Sequence, residues 1–341
     1  MLIHWLILIG ALVVLTAGAE ALVRGASAAA LRLGVSPLFV GLTVVGFGTS
    51  SPELAASVAA TLRGQLGISV GNVVGSNIFN VAVILGATAV VSPIVLGIDA
   101  VRRDLRIMIA AVVVPFAAAF LGHEVPQWLG GLMVLGLVAF LWSAYAAGRR
   151  AGAEEKARAA AELEASLGVH APGEGGAAPA AKPPLGERWW FCAVLVLGGL
   201  GALIGGAHYF VLSAVEIARG FGISELVIGL TIVAAGTSMP ELVTSIVAAI
   251  RRSPDIAVGN IIGSNIFNIL GILGVAAVIR PQTVSSQVLV LDLPVMLAAC
   301  LALGPLLKSG GRISRIEGAC LLAAYGVYLG VLLVFVPRWF G

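Results

Sequence analysis

"GFGTSSPE" (residues 46–53) interrupts a run otherwise suited to lipid, "PLFVGLTVVGFGTSSPELAASVAATL" (residues 37–62). Three hydroxyls, a helix-breaking proline and the ionisable Glu53 stand at its centre. The surrounding chain explains why this is costly. Of the 341 residues, 59% are hydrophobic and only 11% are charged, whereas soluble domains carry about 25% charged residues. Apolar stretches of the roughly 20 residues needed to cross a bilayer recur along nearly the whole chain, and the strict alternation of a membrane barrel is absent. The expected fold class is therefore an all-α polytopic membrane protein. Ten spans are expected, over residues 3–30, 37–61, 69–91, 104–121, 126–147, 189–217, 224–250, 256–279, 287–307 and 315–336.

The N-terminal run lacks a basic leader and is too long for a cleaved signal, so it reads as a retained helix. Cys192, Cys300 and Cys320 fall in apolar spans without a CxxC pair, and the four histidines are scattered. A disulfide framework or a zinc site is not indicated. Lys and Arg orient the helices, because cytoplasmic loops retain them. With both termini outside, sixteen of the twenty basic residues fall on the inward side, leaving Arg63, Arg219, Arg280 and Arg338 outside. The net charge of +3 thus reports topology and not nucleic-acid binding.

Residues 149–188 form the one clearly non-membrane segment. It opens with Ala, Glu, Lys and Arg, which suit a short helix, and continues into an Ala-, Pro- and Gly-rich stretch unsuited to folding. It is expected to be a cytoplasmic, largely disordered linker between residues 1–148 and 189–341, too short to bury a core of its own.

The two flanking regions repeat one another. "GLTVVGFGTSSPEL" at 41–54 returns as "GLTIVAAGTSMPEL" at 229–242, and "GNVVGSNIFN" at 71–80 returns as "GNIIGSNIFN" at 259–268. The offset is 188 residues for Glu53 and Glu241, for Asn80 and Asn268, and again for the weaker match of Asp104 with Asp292. Each half holds five expected spans, an odd number, so the second half enters the membrane with the opposite orientation. That is an inverted-topology repeat, an architecture used by secondary transporters for alternating access.

Spacing makes the repeated motifs chemically legible. Thr49 and Glu53 are four apart and share a helix face, as do Ser76 and Asn80, and Thr237 with Glu241 and Ser264 with Asn268 repeat the pattern. Pro52 and Pro240 lack the N–H groups that would bond Gly48 and Gly236, which frees carbonyl oxygens. An acidic residue at a helix centre costs roughly 2.5–3.5 kcal/mol on insertion scales, and no basic residue occurs in the central parts of these spans. A bound cation is the simplest partner. Carboxylates, hydroxyls, amides and freed carbonyls make an all-oxygen set suited to a hard cation such as Ca²⁺.

The paired GTSxPE and GNxxGSNxxN motifs resemble the α-repeats of the sodium/calcium exchanger family, within the cation/calcium exchanger superfamily. The ten-span layout is similar to its microbial members over nearly the full chain. The resemblance implies that Glu53 and Glu241 are the central ligands for Ca²⁺ and Na⁺. It implies oxygens for flanking Na⁺ from Thr49, Ser50 and Ser76 and from Thr237, Ser238 and Ser264, carbonyls from Gly46 and Ala234, and a centre lined by Asn80 and Asn268. Some exchangers carry Asp where this chain has Asn268.

The expected function is a Ca²⁺/Na⁺ antiporter in a plasma or inner membrane, without a cofactor and monomeric. The alternatives are a cation/proton antiporter of the same superfamily and a channel. Walker, HExxH and GxSxG motifs are absent, which argues against an enzyme. Asp104 and Asp292, near helix starts, are expected to cap or pair locally, and Glu20 is expected to pair with Arg24 one turn on.

Overall fold

The computed structural model describes residues 2–96, 98–167, 189–221, 234–308 and 311–334. In chain order the elements are α1 (Leu2–Leu33), α2 (Pro37–Thr49), α3 (Ser51–Leu62), α4 (Leu66–Val91), β1 (Ile94–Val95), α5 (Ile98–Gly122), β2 (Glu124–Val125) and α6 (Gln127–Leu167). They continue as α7 (Trp189–Gly220), α8 (Ala234–Thr237), α9 (Met239–Ile250), α10 (Pro254–Ile279), β3 (Gln282–Thr283), α11 (Val288–Lys308), β4 (Arg312–Ile313) and α12 (Arg315–Val334). Among the described residues, eight helices are long and apolar enough to cross a membrane, and the bent pair α2–α3 makes a ninth. The expected span over 224–250 is described only from Ala234 onward, because residues 222–233 lie outside the described residues.

The expected span over 37–61 is a bent pair, in line with the break expected at its motif: α2 and α3 meet at 45°. The break falls at Ser50, with φ −83° and ψ 9°. Pro52 then occupies the first turn of α3, where its missing N–H needs no partner. The expected end of the fifth span near 147 is also surpassed. α6 runs on to Leu167, because "AEEKARAAAELEASL" is rich in strong helix formers. Residues 168–188 of the linker lie outside the described residues.

Burial identifies the centre of the bundle. Inside the protein lies 78% of the apolar stretch of α4 and 83% of that of α10, against 6% for α12. Both central helices change pitch where the repeated asparagines stand. Residues 80–85 of α4 and 267–273 of α10 are π-helical, a local widening frequent at functional sites. α10 lies directly against the backbone of α2. A Cβ on Gly263 would stand 2.2 Å from the Leu42 carbonyl oxygen, and one on Gly259 would stand 2.7 Å from that of Leu38. Small residues let α1 and α7 approach in the same way: a Cβ on Gly199 would stand 2.7 Å from the Gly18 carbonyl oxygen.

Four two-residue strands add to the all-helical expectation. β1 pairs antiparallel with β4, Ile94 opposite Ile313, and β2 pairs with β3, Val125 opposite Gln282. Adding 188 to β1 and subtracting it from β4 gives β3 and β2 in the same register, so the two ladders exchange under the sequence repeat. α5 joins β1 to β2 through 25 residues, or roughly 37 Å of helix at 1.5 Å per residue. The ladders therefore tie the halves together at opposite ends of the bundle. Glu20 accepts from Arg24 as expected, and from Arg251 beyond α9, whose Nε lies 2.7 Å away.

Gly263→Ala is expected to cost about 2 kcal/mol through overpacking and to lower the thermal unfolding midpoint in detergent by several degrees. Gly10→Ala, where a Cβ meets nothing within 4 Å, is expected to leave the midpoint unchanged.

Candidate cation site

Each broken helix delivers a carboxylate to the centre. Glu53 and Glu241 lie in the first turns of α3 and α9, and each follows a serine in the same sparsely populated backbone region, Ser238 having φ −90° and ψ 11°. A helix N-terminus carries partial positive charge, so the break offsets part of the cost of an anionic side chain at this depth. Both carboxylates are buried, at 1% and 2% exposure.

The repeats hold each other's acids. Ser50 Oγ donates to Glu241 Oε1 at 2.8 Å, and Ser238 Oγ donates to Glu53 Oε1 at 3.0 Å. The other oxygen of each carboxylate, Oε2, is buried without a hydrogen-bond partner, as are the side-chain carbonyl oxygens of Asn77, Asn80 and Asn268. Asn80 is turned by its own amide, whose Nδ2 donates to Asn265 Oδ1 at 3.2 Å. A buried acceptor left unpaired costs about 1–3 kcal/mol, and more when charged. Here five such acceptors belong to the two acids and to three asparagines of the repeated motifs. Among the described residues no Lys or Arg pairs with either glutamate, and no group of three His, Cys, Asp or Glu occurs. The donor set, two carboxylates among neutral oxygens, fits a hard cation and not zinc.

The remaining expected ligands have uneven roles. Ser264 Oγ donates to the Gly46 carbonyl at 3.1 Å, so that carbonyl already accepts a hydrogen bond across the repeats. Thr49 Oγ1 lies 3.0 Å from the Val45 carbonyl and 3.2 Å from Asn260 Oδ1. Ser76 is buried on α4, four residues before Asn80. Thr237, half-buried, ends α8, and Ala234 opens it. Asp104 and Asp292 are engaged elsewhere. Asp104 accepts from its neighbour Arg103 at 2.9 Å, while Asp292 accepts from Tyr328 at 2.9 Å and Gln287 at 3.2 Å.

Sequence reasoning missed Asn72 and Asn260. Asn72 Nδ2 donates to the Glu53 backbone carbonyl at 3.2 Å and to Ser57 Oγ at 2.8 Å, and Asn260 Nδ2 does the same for Glu241 at 3.3 Å and Ser245 at 2.9 Å. These amides fix the first turns of α3 and α9, and so the positions of both acids. The signal was present, since Asn72 with Asn260 and Ser57 with Ser245 keep the 188-residue offset.

Comparison with known proteins finds relatives along nearly the whole chain. The family model described as sodium/calcium exchanger protein matches residues 3–146 and 191–334. The sodium/calcium exchanger MaX1 of Methanosarcina acetivorans is 36% identical, over 97% of this chain and 98% of its own. The inner membrane protein YrbG of Escherichia coli is 34% identical, over 99% of both chains. Among solved structures, that of the sodium-calcium exchanger NCX_Mj soaked with 2.5 mM Na⁺ and 0.1 mM Ca²⁺ superposes with a TM-score of 0.78 at 27% identity, covering 98% of this chain and 99% of the other.

Asn72→Ala and Asn260→Ala are each expected to cost about 1–2 kcal/mol through the lost amide bonds. Because the two amides serve different helices, the double variant should show a near-additive fall in the thermal unfolding midpoint.

Proposed function

This chain belongs to the sodium/calcium exchanger family, and we propose that its ions cross at one central site whose charge comes from Glu53 and Glu241. It is a multi-pass membrane antiporter that exchanges Ca²⁺ for Na⁺ by alternating access, and it is not an enzyme. The observation that carries the site assignment is the pair of buried carboxylates, each held on one oxygen by the opposite repeat and free on the other.

The chemistry follows from that pairing. A Ca²⁺ ion at the free oxygens meets a formal charge of −2, and two Na⁺ ions meet the same charge, so the two loads compete for one set of acids. Asn80 and Asn268 offer neutral carbonyl oxygens to either. Ser50, Ser238, Ser76, Ser264, Thr49 and Thr237, with the carbonyls of Gly46 and Ala234, surround the carboxylates as the oxygens of flanking Na⁺ positions. Because each acid is anchored by the other repeat, a change in how the ions load the carboxylates acts on the junction between the halves. That gives binding a direct purchase on the alternation between faces.

The architecture in this reading is ten spans in two inverted five-helix repeats, residues 1–148 and 189–341, joined by a cytoplasmic linker over 149–188. The exchange of the two strand ladders under the 188-residue offset supports it. So does the topology inferred from Lys and Arg, which puts β1 and β4 on one face and β2 and β3 on the other, as their pairing requires. Both termini lie outside in this topology. The chain acts as a monomer in a plasma or inner membrane, where the E. coli relative is named as an inner membrane protein.

Glu53→Gln and Glu241→Gln are each expected to lower ⁴⁵Ca²⁺ flux in proteoliposomes at least 100-fold while leaving the protein folded and inserted. Near-normal flux in either variant contradicts the site assignment. Replacing Na⁺ by choline on the counter-ion side should stop wild-type flux. Flux that persists on a proton gradient alone would favour the proton-coupled alternative.

A further inference from the structure

Two hydroxyls behave unlike the other buried ones. Threonines inside these helices normally donate back to the carbonyl four residues earlier: Thr16 to Leu12 at 2.8 Å, Thr43 to Phe39 at 2.7 Å, Thr49 to Val45 at 3.0 Å. Thr88 on α4 and Thr244 on α9 are fully buried, at 0% exposure, yet neither hydroxyl has a hydrogen-bond partner. Both lie between the central site and one face. α9 packs along the stretch of α4 from Asn80 to Val91, and just beyond it Ser92 Oγ donates to the Ala249 carbonyl at 3.4 Å. Thr244 stands three residues past Glu241, about one helical turn toward Arg251, and Thr88 stands four residues before Ser92.

The repeat shows what is special here. Subtracting 188 from Thr244 gives Ala56, and adding 188 to Thr88 gives Ala276. The corresponding stretch on the other side of the site therefore has methyl groups where this side has hydroxyls. An unpartnered hydroxyl costs stability that alanine or valine would not, and these two occur only on the side leading to the Arg251 face.

We propose that Thr88 and Thr244 form an oxygen step on the ion route between Glu241 and the Arg251 face, at which a cation exchanges part of its coordination for hydroxyl oxygens on entering or leaving. The proposal rests on the cation site described above and adds to it a side-specific station. A hard cation moving between water and the glutamates needs oxygen ligands in between, and α4 and α9, which pack together over this stretch, carry two that no protein group uses. The topology places the Arg251 face in the cytoplasm.

The test is the apparent KM for Ca²⁺ on each face, read by ⁴⁵Ca²⁺ flux in inside-out vesicles and in intact cells, for Thr88→Val and Thr244→Val. Both swaps keep side-chain shape and break no hydrogen bond. The expected result is a 3- to 10-fold rise in KM in inside-out vesicles, a change of less than twofold in intact cells, and an unfolding midpoint unchanged or raised. Thr88→Ser and Thr244→Ser should restore the wild-type KM. Unchanged KM on both faces, equal changes on both faces, or a midpoint lowered by several degrees overturns the proposal. Flux surviving in Glu241→Gln refutes the underlying site, whereas flux lost in Glu241→Gln beside unaltered Thr88→Val and Thr244→Val refutes only the oxygen step.

Discussion

Two carboxylates buried at the centre of a membrane protein, with no Lys or Arg paired to them among the described residues, are the constraint on which the structure depends. Glu53 and Glu241 cannot stand at that depth without compensation. The fold supplies part of it through helix N-termini and one serine hydroxyl each. The rest is left open as unpartnered oxygens. In the proposed reading, that incomplete satisfaction is what separates a transport site from a structural ion pair: a built-in Lys or Arg would complete the charges permanently and leave nothing for a passing ion to do.

Much of the remaining architecture serves to hold those oxygens in register. The helix breaks at Ser50 and Ser238 turn the acids inward, and Asn72 and Asn260 lock the turns that follow. Close backbone contact of α10 with α2 at Gly259 and Gly263 brings Ser264 and Asn260 within reach of Gly46 and Thr49. The strand ladders fasten the repeats to each other at two ends separated by the length of α5.

Which parts were legible in the sequence follows from which forces are local. The helical class was readable because lipid demands long apolar runs. The repeat and its acids were readable because a charged residue in such a run is costly and the 188-residue offset recurs. The 45° bend was signalled by Pro52, although the break falls at Ser50, since proline fits the first turn of a new helix. The repeat marked Asn72 and Asn260 as a pair but not what they hold, because each reaches 19 residues back to a backbone carbonyl. The two-residue ladders and the Arg251–Glu20 pair likewise depend on neighbours distant in sequence. In α6 local propensity prevailed, carrying the helix beyond the apolar segment to Leu167.

The most direct test of the central claim is equilibrium binding of ⁴⁵Ca²⁺ to purified protein in detergent, titrated with Na⁺ at constant ionic strength set by choline. If Ca²⁺ and Na⁺ share the Glu53 and Glu241 oxygens, one Ca²⁺ binds per chain and Na⁺ displaces it completely, while choline does not. Ca²⁺ that stays bound at saturating Na⁺, or that binds equally well when both glutamates are replaced by glutamine, would contradict a single shared site.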